Sequence, residues 1–170
     1  MLGLVKMQSL IFYSRYYLII ILLGMLNNNI HAKTIIGWTE KVQIADTNFF
    51  LGAKIDTGAD TTSIHAKILA QYNVDNEKWI KFQLDNGEGD NIVFEKKILK
   101  YAKIKRKIEG RIERPVILMP ICLGSVVRNI EVNLSNRSNF EYPMLIGKNM
   151  LRKKFLVDVA LKNTIAPNCK

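Results

Sequence analysis

The sequence predicts a mainly β chain, small and closed or sandwiched, with one or two short helices. Three observations carry that prediction. After Lys33, short runs rich in Ile, Val, Leu and Phe recur, broken by polar or Gly clusters. No long stretch carries apolar residues at helical spacing. No internal repeat, low-complexity tract or linker divides the chain. Its 170 residues are 48% hydrophobic, enough for one domain with a real core.

The elements follow in order. Lys6 and Arg15 precede the apolar run Leu18–Leu26, which has the length of a signal-peptide core and is short for a bilayer span. Ala32 suits the last residue before cleavage, and no Cys follows to take a lipid. Residues 1–32 are therefore expected to be a signal peptide, with an uncleaved anchor as the alternative, and residues 33–170 the functional domain. The chain is expected to be exported, periplasmic or secreted, with transient membrane targeting by its N-terminus. Candidate strands are Ile35–Ile44, Phe49–Ile55, Trp79–Leu84, Ile92–Ile98, Arg114–Met119, Val126–Leu134 and Met144–Ile146. Each is an apolar run bounded by turn-forming residues. The segment "NGEGDN", Asn86–Asn91, reads as a hairpin tip, either a flap over a substrate or an exposed turn. Helix is expected at Asn149–Lys154, just after a Gly, and at Ala66–Tyr72.

Charge narrows the partners. The formal net charge is +10. Two basic residues lie in the first 32 positions, which hold no acid, so the remainder carries +8. Such a balance favours acidic peptides, anionic lipid or glycan surfaces, or nucleic acid. Export removes nucleic acid from that set. The basic run from Lys96 to Lys107 suits an acidic partner, but a solvated strand edge that resists aggregation accounts for it as well. Cys122 sits in the apolar run "VILMPICLG" and reads as a buried thiol. Cys169, next to last, reads as a loose tail, with a disulfide between the two as the alternative.

Several chemistries fail on the residues present. After residue 32 the chain holds one histidine, His65, and no His-Glu-x-x-His, so no metal site is expected. The Gly-Lys of "IGKNM" lacks the glycine five residues earlier that a phosphate loop needs, because Tyr142 stands there. No Gly-x-Ser-x-Gly elbow exists for a serine nucleophile. No cofactor is expected.

Asp56 remains, in "AKIDTGADTTSIHA", Ala53–Ala66. Gly58 permits a sharp turn that brings backbone N–H groups to the carboxylate. Two such carboxylates face to face share a proton, one serving as base on water and the other as acid on a peptide carbonyl. The chain has a single Asp-Thr-Gly, so the economical arrangement is a two-fold homodimer with Asp56 of each subunit on the axis. The bland alternative is an Asp56 that only caps a turn.

With "DTGAD" (Asp56–Asp60) and "LIGKNML" (Leu145–Leu151), the chain resembles the retropepsin-like aspartic proteases, whose two hallmarks these match in kind and order. The resemblance implies a small retropepsin-like β-barrel with Asp56 as the catalytic acid. It assigns Thr57 and Gly58 to the catalytic loop, and Ala59 and Asp60 to substrate contact. Lys148 stands where retroviral members usually carry the Arg that pairs with the acid equivalent to Asp60. A closer likeness, from about Ile36 to Asp158, is to a bacterial subgroup labelled "ATP-dependent zinc protease" and associated by name with the RimK and LysX ligases. The shared stretches are "IGW", "AKIDTGADTTSIHA", "NLSNR" through "MLIGKNML", and "FLVDV". Most members carry Arg where this chain has Asp60. The likeness implies cleavage of peptide or glutamyl-peptide bonds. The zinc and ATP in the label find no support in the residues above. His65 is a structural histidine in the plainer reading and a tuner of Asp56 in the sharper one. Asp158 of "FLVDV" reads as a structural carboxylate. The alternatives to an exported dimeric peptidase are a non-catalytic peptide- or partner-binding domain on the same fold, which a monomer would favour, and a cell-envelope structural protein.

Overall fold

Alternation builds the barrel strand by strand. The computed structural model describes residues 32–106 and 110–169. The expected targeting segment, apart from Ala32, lies outside them. In β3 (Phe49–Ile55) the residues Phe49, Leu51, Ala53 and Ile55 are buried while those between them face outward. This is the period-2 pattern of a strand with one face on a core. β2 (Thr39–Ile44) turns Val42 and Ile44 inward and pairs antiparallel with β3. β3 also pairs, in parallel, with β11 (Met144–Ile146). β11 pairs with β4 (Thr62–His65), and β4 in parallel with β10 (Val126–Ser135). The long β9 (Gly110–Leu123) joins β10 to β2 and so closes a ring of six strands. Closure leaves the ring without a free edge. Its interior is filled by Val42, Leu51, Ile64, Ile117, Met119 and Leu134, among others.

Three additions surround the ring. β8 (Lys100–Arg106) pairs with the first half of β9 as a hairpin arm. β8 ends the sheet order, and its Lys100 and Lys103 are exposed there, in keeping with the strand-edge reading of the basic run. β5 (Lys67–Val74), β6 (Glu77–Asp85) and β7 (Asn91–Lys97) form an antiparallel meander. Ile80, Phe82 and Leu84 of β6 are buried, and the Phe82 and Phe94 rings lie 5.8 Å apart. β1 (Thr34–Ile36) pairs in parallel with β12 (Phe155–Val157). One short helix, α1 (Lys148–Leu151), follows β11.

Several expectations need correction. Ile35–Ile44 is two strands, because the chain breaks at Gly37. A Cβ on Gly37 would lie 2.5 Å from the Leu161 carbonyl oxygen, so only glycine lets the tail pass. In the segment Ala66–Tyr72, residues from Lys67 onward are strand, not helix. Asp75 and Asn76, at φ 50° and 63°, make a two-residue hairpin turn, and the ladder offered by β6 outweighs local helix preference. The helix after Gly147 stops at Leu151, before the Lys154 that was expected. Arg152 is extended and Lys153 has φ 68°.

Cys122 and Cys169 form a disulfide, against the plainer expectation of a buried thiol and a loose tail. The tail is anchored before it reaches the bond. The buried Glu40 carboxylate accepts from the Gly37 N–H at 2.6 Å, the Thr164 hydroxyl at 2.5 Å, and the Thr164 and Ile165 N–H groups at 3.1 Å. The Asn168 N–H then donates to the Gly124 carbonyl at 2.8 Å. Four donors on one buried carboxylate replace the water it loses.

Candidate active site

Asp56 follows the last residue of β3. Backbone bonds set it from both sides: the Ile55 N–H donates to Trp38 O at 2.8 Å, and the Asp56 N–H donates to Ile146 O at 2.9 Å. Its Oδ1 then accepts from the N–H of Gly58 at 2.9 Å and of Ala59 at 3.2 Å. A carboxylate that gathers its own downstream N–H groups folds the loop over itself. No described group donates to Oδ2. Thr57 and Gly58 are exposed.

The second half of the site comes from about ninety residues later. A Cβ on Gly147 would lie 2.7 Å from the carbonyl carbon of Thr61 and 3.0 Å from Ala59 O, so the loop rests directly on glycine backbone. The next two N–H groups bind that loop, Lys148 to Ala59 O at 2.8 Å and Asn149 to Asp60 O at 3.1 Å. Asn149 is a hub. Its Oδ1 accepts from the Thr62 N–H at 3.0 Å and the Thr62 hydroxyl at 2.8 Å, while Nδ2 donates to Glu131 O at 2.8 Å. The Thr62 oxygen accepts in turn from the Gly147 N–H at 3.1 Å. Lys148 Nζ lies 2.7 Å from Asp60 Oδ1, and Arg152 reaches the same oxygen at 3.9 Å. The hydrogen bond from Lys148, and then its charge, hold the Asp60 carboxyl below its ordinary value.

Thus Asp56, Thr57, Gly58, Ala59, Asp60 and Lys148 come together as one unit. His65 stands apart on β4, where its Nδ1 accepts from the Arg137 N–H at 2.8 Å. That contact fits the structural reading. Asp158 caps its own turn, accepting from the Ala160 N–H at 2.9 Å. Among the described residues the turn and side-chain hydrogen bonds of the "NGEGDN" tip stay within Asp85–Asp90. Asn86 and Glu88 line a separate cavity with Phe50 and Tyr142. The cavity beside Asp60, about 340 Å³, is bordered instead by Ala102 of β8 and Arg114 of β9. Among the described residues no three His, Cys, Asp or Glu side chains cluster as a metal would require.

Sequence reasoning passed over Asn149 and Arg137 as functional residues. The first lies inside "LIGKNML" and the second ends "NLSNR", so both stood in quoted stretches. Nothing in their spacing showed what they touch.

Comparison with known proteins agrees with this geometry. Residues 35–168 match the family model described as RimB-like, retropepsin-like aspartic endopeptidase RimB. A probable alpha-L-glutamate ligase of Desulfotalea psychrophila is 30% identical over 135 residues, covering 77% of this chain and 29% of that protein. One from Shewanella halifaxensis is 34% identical over 110 residues, 62% of this chain and 24% of that protein. The chain therefore spans less than a third of these relatives. A crystal structure of a Legionella pneumophila protein of unknown function superposes with a TM-score of 0.66 at 35% identity, covering 78% of this chain and 98% of that one.

Proposed function

The chain belongs to the RimB-like family of retropepsin-like aspartic endopeptidases, and on that premise we propose that it is an exported, homodimeric aspartic peptidase with Asp56 as its catalytic acid. The observation that carries the reading is the Asp56 loop. One carboxylate oxygen is held by two backbone N–H groups, the other meets no described donor, and the flanking Thr57 and Gly58 lie open to a partner.

One chain supplies one such carboxylate, so the dyad needs a second copy. Apolar surface near the loop favours that assembly. Ile35, Leu156, Val159 and Leu161 are exposed, and Leu161 O accepts from the Trp38 N–H, whose residue in turn holds Ile55. In the dimer the two Asp56 side chains share one proton. The ionised carboxylate takes a proton from water as it attacks the peptide carbonyl, and the protonated one donates to the carbonyl oxygen. Activity then falls on both sides of an acidic to neutral optimum. Glutamate-rich polypeptides are the first substrates to try, given the basic charge and the relatives named as glutamate ligases.

The test is cleavage of glutamate-rich and unfolded polypeptides from mildly acidic to neutral pH, beside Asp56→Asn. Wild type alone should cut. Equal cleavage by both would sink the assignment. A well-folded monomer that cuts nothing would favour a binding domain on the same fold.

A further inference from the structure

The cavity beside the catalytic loop is lined by a buried cation, Arg137, that forms no ion pair among the described residues. Its walls include Asp60 of the loop, Ser63 of β4, Asn133 of β10, Leu145 of β11, and Arg114 and Arg137. Arg137 is 8% exposed. Its partners are all neutral. Nη1 donates to the Ser63 hydroxyl at 3.2 Å and Nε to Tyr142 O at 3.3 Å, while the guanidinium lies 4.6 Å from the Phe140 ring centre. Among the described residues no carboxylate stands within ion-pair reach of it, and no described group accepts from Nη2. Burial pushes its pKa below the ordinary arginine value, the Arg114 charge adds to that, and Asp56 acts in the opposite direction. A guanidinium so placed is costly until an anion arrives.

Asn133 supplies the second observation. It is also 8% exposed, and its buried Oδ1 has no hydrogen-bond partner. An amide can turn to offer either its oxygen or its NH₂. Asp60, at the same wall, is already matched by Lys148 and does not neutralise the interior.

We propose that this cavity seats an acidic side chain of the bound polypeptide, its carboxylate held by Arg137 Nη2 and by the Asn133 amide turned to donate. The proposal rests on the reading of the Asp56 loop as a peptide site and names the residues that select the substrate there. Glutamate reaches such a pocket with two oxygens that match the two donors. Glutamine brings the same shape without the charge, so the pair isolates the electrostatic part.

The experiment uses the full-length protein carrying Asp56→Asn, so that peptides bind uncut. Fluorescein-labelled decapeptides of Ala and Ser carry one Glu, Gln or Lys at each position in turn, and anisotropy reads their affinity. Glu should bind about tenfold or more tighter than Gln at one register. Arg137→Met should reduce that ratio to near one. Because the Arg137 side chain also donates to the Ser63 hydroxyl and Tyr142 O, a second variant is needed. Asn133→Asp leaves those bonds alone and should weaken Glu peptides while sparing Gln peptides. Equal Glu and Gln binding, no binding at millimolar peptide, or a Glu/Gln ratio unmoved by Asn133→Asp would overturn the proposal. A flat ratio alongside cleavage by wild type rejects the pocket and keeps the peptidase. A preserved ratio with no cleavage does the reverse.

Discussion

Asn149→Ala tests the connection between the two halves of the site. The substitution removes the acceptor for two Thr62 donors and the donor to Glu131 O. Thr62 is fully buried, so water cannot replace the lost partner without opening the strand. A net hydrogen bond is worth about 1 kcal/mol, and a buried donor left unpaired costs about 1–3 kcal/mol. With the Thr62 hydroxyl free to rotate toward another acceptor, the total is roughly 3–4 kcal/mol. That is a large share of the roughly 5–15 kcal/mol that holds a domain folded. For a domain of about 140 residues it lowers Tm by roughly 10 °C. Urea unfolding followed by tryptophan fluorescence measures it, with Trp38 packed edge-on to Tyr142 near the loop as a local reporter. Asn149→Asp keeps the acceptor for Thr62 but sets a carboxylate oxygen against the Glu131 carbonyl, so it should cost at least about 1 kcal/mol. An Asn149→Ala loss below about 0.5 kcal/mol would refute the hub.

Two further outcomes follow from the tail and the loop. Cys122–Cys169 closes a 47-residue separation, so the chain-entropy model gives about 4 kcal/mol of stabilisation. Reductant should lower Tm in wild type and leave Cys169→Ser unmoved, and a wild-type Tm indifferent to reductant would contradict the bond. Asp60 is held below its usual value of 3.8 by Lys148. The pair therefore stabilises the fold fully above that unfolded value and is lost as pH falls through the lower folded value. As pH falls below about 4, stability should fall more steeply in wild type than in Lys148→Met. Parallel curves would remove the ion pair from the account.

The Asp56 loop was legible because its bonds are local. Oδ1 reaches N–H groups two and three residues away, so Asp-Thr-Gly-Ala contains its own geometry. Strand identity was legible where apolar residues alternate, as in Phe49–Ile55, and failed at Ala66–Tyr72, where the partner strand decided. The pairing of Asp60 with Lys148 was available only through resemblance to a family.

By itself, then, the sequence determined the β class, the turn that carries Asp56, and the glycine-led segment that packs beneath it. The tertiary structure decided the rest. Arg137 and Asn133 reach the cavity because β10 lies parallel to β4, with Val132 opposite Thr62 and Asn133 opposite Ser63. Cys169 meets Cys122 because Glu40 holds the tail on the way. These meetings join residues some 47 to 125 positions apart. Bonds within a turn depend on neighbouring dihedral angles, which the residue types control. Contacts across the barrel depend on strand order and register, which are settled only when the ring closes and buries its common core.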